Sequence, residues 1–167
     1  QEWPPVSCGA QLWYEVGQKM DKERSIRVQK LLWQNPELAL DCRAIDGGTL
    51  LYHLCYTSSC RKEARRRSQP SGEEGTGLEA QDAAAVQSVA RMLLECGCPA
   101  SAPTFDGMVA LHHAPTLEVA RLLLAAGARA LLCKNAMGAA PRNTSTAAMA
   151  ACEELELAAV LVEWISG

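Results

Sequence analysis

Three histidines and eight cysteines are the side chains here that could ligate a metal or attack a substrate, and their spacing suits neither task. A structural zinc site takes about four ligands in a tetrahedral array, typically supplied by C-x₂₋₄-C pairs. Cys96 and Cys98 have a single spacer and Cys55 and Cys60 have four, yet neither pair is followed by a second at finger-like spacing. No metal and no cofactor are expected. Cys8, Cys42, Cys133 and Cys152 complete the set, and most of the eight lie inside apolar helical patterns, where a thiol acts as a small hydrophobe. Buried thiols in a reducing compartment, cytoplasmic or nuclear, are therefore expected over a disulfide framework. The chain lacks G-x-S-x-G, a phosphate-cradling glycine loop followed by Lys-Ser/Thr, and H-E-x-x-H. Glu73-Glu74 and Glu153-Glu154 read as loop solvation and helix-start charge. An enzyme is not expected.

The most concentrated charge lies in Arg61-Lys62-Glu63-Ala64-Arg65-Arg66-Arg67, with five Lys/Arg in seven positions. It offers an alternative function, nucleic-acid or phospho-regulated binding through residues 61–67. Arg65 lies three residues before Ser68, the spacing of a basophilic kinase site, and phosphate there would add charge beside arginines. Against this, a solvated loop tip is the plainer reading, and the whole chain carries a formal net charge of −3.

The elements that must carry these residues are helices. Apolar residues make up 49% of the 167 positions and aromatics 5%, with alanine and leucine dominant and β-branched residues sparse. That balance favours small, closely packed helical faces over sheets. Apolar runs fall well short of the roughly 18–20 residues a membrane span needs. Gln1-Glu2-Trp3-Pro4-Pro5 shows neither the basic nor the apolar region of a secretory signal.

An internal repeat organises the pattern. Val89-Ala90-Arg91-Met92-Leu93-Leu94-Glu95-Cys96-Gly97 and Val119-Ala120-Arg121-Leu122-Leu123-Leu124-Ala125-Ala126-Gly127 are offset by 30 residues and identical at six of nine positions. Each reads as an amphipathic helix closed by a glycine. Val28-Gln29-Lys30-Leu31-Leu32-Trp33 and Leu157-Ala158-Ala159-Val160-Leu161-Val162 extend the series. Between the copies recur glycine turns that feed short apolar helices: Asp46-Gly47-Gly48-Thr49-Leu50-Leu51-Tyr52-His53-Leu54, Phe105-Asp106-Gly107-Met108-Val109-Ala110-Leu111-His112-His113-Ala114, and Met137-Gly138-Ala139-Ala140-Pro141.

Over residues 10–167 this order of turn and helix resembles the ankyrin family, whose repeat of about 33 residues carries T-P-L-H-x-A. Thr49 and Leu51 keep the T and L, Leu111-His112 and Ala114 keep L-H and A, and Pro141 keeps the P. Between Ala114 and Glu118 only Pro115-Thr116-Leu117 intervene, which shortens the first helix of that repeat and accounts for the 30-residue period. Arg142 stands where the family has a core leucine, either as the polar face of a capping repeat or through a shifted register. The resemblance implies an all-α solenoid of about four stacked helix-turn-helix repeats, at 7–43, 44–102, 103–134 and 135–167. Residues 58–82, rich in charge, proline, glycine and serine, are expected to be a long disordered insertion in the second repeat.

The resemblance also implies a function: a non-catalytic module, part of a scaffold or adaptor, that binds another protein or a peptide segment of one. Neither nucleic acid nor membrane is the expected partner, and the domain is expected to be monomeric. Its glycine turns and outward first-helix faces would meet the partner. The turn positions are Ile45, Asp46 and Gly48, then Phe105, Asp106 and Met108, then Ala136, Met137 and Ala139. First helices would add His53, Tyr56, Thr57 and His113, while His112 falls at the family's structural histidine. Phe105, the single phenylalanine, with two methionines would make an apolar strip of the kind soluble proteins rarely leave unused.

Overall fold

A computed structural model describes residues 7–43, 45–68, 77–128, 149–151, 153 and 154. Among these residues the chain is helical, with no strand and one isolated bridge, Cys42 to Thr49. The helices are α1 (Cys8–Gly17), α2 (Lys22–Gln34), α3 (Leu50–Ser68), α4 (Gly77–Glu95) and α5 (Leu117–Ala125). Two 3₁₀ turns, Pro36–Leu40 and Ala110–His113, complete the described elements. None of these helices is long and apolar enough to cross a membrane.

Local sequence explains where the helices start and stop. Side-chain oxygens of Ser7, Asp21, Thr49 and Thr116 accept from Ala10, Arg24, Tyr52 and Val119 N–H groups, satisfying donors that a helix start leaves open. At the other end, Gly97 and Gly127 take φ of 92° and 99°, a region that side chains with a Cβ avoid. Around Gly97 the Cys98 N–H donates to Leu93 O and the Gly97 N–H to Leu94 O. Ala128 and Gly127 donate to Leu123 and Leu124 in the same pattern, so the 30-residue offset recurs in the hydrogen bonds themselves.

Packing arranges these elements in two rows. α1, α3 and the turn Ala110–His113 lie side by side in one row, and α2, α4 and α5 in the other. Equivalent residues Val28 and Leu32, Val89 and Leu93, Val119 and Leu123 are all fully buried and face the joint core. They meet Leu12 and Val16 of α1, Leu50, Leu51 and Leu54 of α3, and Leu111. Glu15 of α1 is buried and ties the first pair together, accepting from Arg24 at 2.8 Å and Arg27 at 3.3 Å on α2. The helical turn Ala110–His113 stops after four residues, since Pro115 has no N–H to continue it.

Residues 58–82 correct the expectation of a mobile loop wherever they are described. Residues 58–68 are the last turns of α3 and 77–82 the first of α4, while 69–76 lie outside the described residues. Ala, Arg, Lys and Glu are good helix formers whatever their polarity, and Glu63 pairs with Arg67 one turn on. Arg61 donates to Gly17 O and Lys62 to Pro115 O, anchoring the segment to two remote parts of the chain. Of the proposed fourth repeat, only residues 149–151, 153 and 154 are described, and they are helical. Arg121 of α5 holds Glu154 through two hydrogen bonds of 3.1 Å.

The described cysteines are unpaired thiols. Cys55 is fully buried, and burial pushes its thiol up to about 12 from an ordinary 9.0. Its thiolate is thus scarce at neutral pH, and burial also denies a reagent access to it. Alkylation of the native chain, followed by mass spectrometry, is expected to modify Cys8, Cys42 and Cys60 first among the described thiols. Cys55 should lag far behind them; labelling of Cys55 at the pace of Cys60 would contradict its burial.

Candidate functional site

Two glycine turns set the edge of the candidate site. In the first, Arg43 N–H donates to Gly48 O, Gly47 N–H to Arg43 O, and Gly48 N–H to the Asp46 carboxylate. In the second, Thr104 N–H donates to Met108 O, Gly107 N–H to Thr104 O, and Met108 N–H to the Thr104 hydroxyl. The Phe105 N–H donates to Asp46 O at 2.9 Å, so adjacent turns are stitched together. Gly47 has a φ of 70°, and a Cβ there would lie 2.7 Å from the Phe105 ring. The ring therefore lies over the glycine, and its other side faces solvent at 75% exposure.

Beside the turns runs a row of aromatic and histidine side chains crossing α1, α3 and the turn Ala110–His113. Trp13 meets His53 at 5.6 Å between ring centroids, with the Arg43 guanidinium 5.8 Å from the Trp13 ring centre. Tyr52 and Tyr56 stack at 6.0 Å, one helical turn apart. His113 sets its edge against both, at 5.5 Å from Tyr52 and 5.1 Å from Tyr56. These polar-tipped rings give large, rigid area at low entropic cost.

Electrostatics keep most of this row uncharged. Burial, and then His112, lower the His113 pKa to about 4. Burial, and then Arg43, lower that of His53. Burial alone would raise the Asp46 carboxyl, but the Gly48 N–H and Arg43 guanidinium outweigh it and hold it below the ordinary range. At neutral pH the row thus presents π faces, two neutral imidazoles and the Arg43 cation.

The expected site residues divide as follows. Ile45 and Phe105 stand out at the turn tips, Ile45 at 85% exposure, and Asp106 is exposed beside them. Tyr56 is exposed and His53 half-buried, with its Nδ1 lacking a hydrogen-bond partner among the described residues. Asp46 is half-buried and engaged by its own turn and Arg43. Met108 is half-buried against the core, and Gly48 is buried. Thr57 spends its hydroxyl on His53 O at 2.9 Å, and His113 at 7% exposure supports Tyr56 from below. His112 is fully buried, its Nδ1 accepting from Val109 N–H. Ser68 is exposed at the last residue of α3, its hydroxyl donating to Ala64 O. Met137, with Ala136 and Ala139, lies outside the described residues.

Sequence reasoning missed Trp13, Arg43 and Tyr52. Tyr52 was legible as the residue one turn before Tyr56. Trp13 and Arg43 were not, since only folding brings α1 and the first turn against α3. Among the described residues, no group of three or more His, Cys, Asp or Glu is placed to hold a metal. Neither the family models nor the curated proteins compared with this chain match it.

Proposed function

We propose that this chain is a non-catalytic protein-binding module of ankyrin type, working as part of a scaffold or adaptor. Three structural features support the ankyrin-type reading: the two helical rows, the helix-ending hydrogen bonds repeated at 30 residues, and the bond from Phe105 to Asp46 between neighbouring turns. The partner is another protein or a peptide segment of one. It lies along the aromatic row with Ile45 and Phe105 at its border. A reducing cytoplasmic or nuclear setting suits the packed thiols of Cys55 and Cys98.

The observation that carries the reading is the exposure of Ile45 and Phe105 on two stitched turns, next to a half-buried aromatic row. Large apolar side chains grouped this way are characteristic of interface centres. Phe105→Ala and Tyr56→Ala are each expected to weaken capture of the partner from cell extract by about 10- to 30-fold, the effect of losing an interface anchor. Quantitative pull-down beside circular dichroism tests this. Equal capture of every protein by wild type and both variants would remove the turns and aromatic row as the binding face. Loss of helicity in both would make those residues structural.

A further inference from the structure

We propose that the cleft between the C-terminal half of α3 and the start of α4 is a second docking site, one that takes an acidic peptide segment of another protein. Helix α3 carries both faces: Tyr56 belongs to the aromatic row, and Arg66 lies ten residues further on, about 15 Å along the axis. The cleft holds about 470 Å³, room for only a few residues of an extended chain.

Its charge is the first argument. Among the described residues Lys19, Arg61, Lys62, Arg65 and Arg66 line it, against two carboxylates, Glu79 and Asp82. The local excess is three positive charges on a chain whose formal net charge is −3. The carboxylates are already engaged, Asp82 by Lys19 at 3.1 Å and by Arg65 at 3.7 Å, Glu79 by Arg65 at 4.0 Å. Arg61 and Lys62 spend hydrogen bonds on backbone carbonyls of Gly17 and Pro115, which orients the cations without neutralising them. Arg66 has no ion-pair partner among the described residues and is exposed. Burial, and to a lesser extent the like charges of Arg24 and Arg65, lower the Arg61 pKa.

Its apolar floor is the second argument, and it selects a peptide over a nucleic acid. Met20, Ala83, Val86 and Pro115 line the same cleft, all but Ala83 buried beneath its surface. The lining residues offer a nucleic-acid base no aromatic side chain to stack on, while a peptide can seat one apolar side chain and place carboxylates on the surrounding arginines and lysines. Arginine also pairs carboxylates in a planar, two-pronged geometry. The cations then set attraction and orientation, and the floor sets which side chain fits.

A fluorescein-labelled peptide of alternating Glu and Gly around one central Leu, titrated with the full chain by anisotropy, tests the assignment. The expected result is saturable binding that weakens at least about tenfold as salt rises from about 0.1 M to about 0.5 M. Arg66→Glu should weaken it at least about tenfold, and Lys62→Gln by a smaller factor, both with unchanged helicity. Replacing the peptide's Leu by Ser should cost at least about threefold. Phe105→Ala, outside the cleft lining, should bind the peptide as wild type does, so failure here leaves the first site untouched. Undiminished binding by Arg66→Glu, or equal loss with Phe105→Ala, would overturn the proposal. So would tighter binding of an equally charged single-stranded oligonucleotide, or indifference to the Leu.

Discussion

Acidification from about pH 7 to pH 5 is expected to lower the unfolding free energy by about 2 kcal/mol through one side chain, His113. Burial beneath Tyr52 and Tyr56, with His112 alongside, takes its pKa from an ordinary 6.5 to about 4. In that interval the unfolded chain binds a proton that the native chain does not. The stabilising difference is present above about 6.5, falls as pH drops, and is gone below about 4, where the loss reaches about 3 kcal/mol. His53, lowered by burial and by Arg43, acts with the same sign. Asp46, whose carboxyl is held below 3.8, adds a loss only in stronger acid. Urea midpoints at the two pH values measure the effect in wild type and in His113→Gln. The variant should keep most of its neutral-pH stability on going to pH 5. If both proteins lose the same amount, His113 is not the source. Since its edge also supports Tyr56, acid should loosen the candidate face before the whole chain unfolds.

Leu54→Ala is expected to cost about 3–4 kcal/mol, more than the acid effect through His113. Leu54 is fully buried, on the helix that packs against α1, α4 and the turn Ala110–His113 at once. The truncation leaves a cavity that those elements cannot all close, since each is fixed by a second neighbour. Against a total stability of about 5–15 kcal/mol for a domain, this is a large share. Ile45→Ala, at a turn tip, is expected to stay within about 0.5 kcal/mol of wild type. Guanidinium denaturation with a shared slope compares the two. A loss below about 1 kcal/mol for Leu54→Ala would mean that α3 is not the joint between the two rows.

Residues 58–68 show why part of the architecture stayed hidden from local pattern. Charge and serine suggested a loop, yet arginine, lysine, glutamate and alanine are sound helix formers. The helix is then fixed by Arg61 to Gly17 and Lys62 to Pro115, contacts 44 and 53 residues apart that no window of sequence contains. The burial of His113, expected on an exposed first-helix face, stayed hidden for a related reason. A helix of ordinary length would have turned it differently, but the four-residue turn before Pro115 directs it under Tyr56.

The arginine-rich and aromatic surfaces of α3 differ in the same way. Tyr52 and Tyr56 are neighbours by helical spacing alone, while Trp13, Arg43 and His113 join them only through packing. Lys19 and Asp82 likewise become part of the basic cleft only when α1, α3 and α4 meet.

What the sequence determined by itself is what short-range physics controls: helical class, the apolar helix faces that recur at 30 residues, and the glycines that end those helices. These depend on backbone conformation and side-chain periodicity within a turn or two of the residue concerned. Tertiary structure alone decided where the charged helix is anchored, which histidine was buried to a pKa of about 4, and which remote cations share one cleft. Those outcomes depend on desolvation and on distances between elements far apart in the chain, quantities that exist only once the two rows have packed.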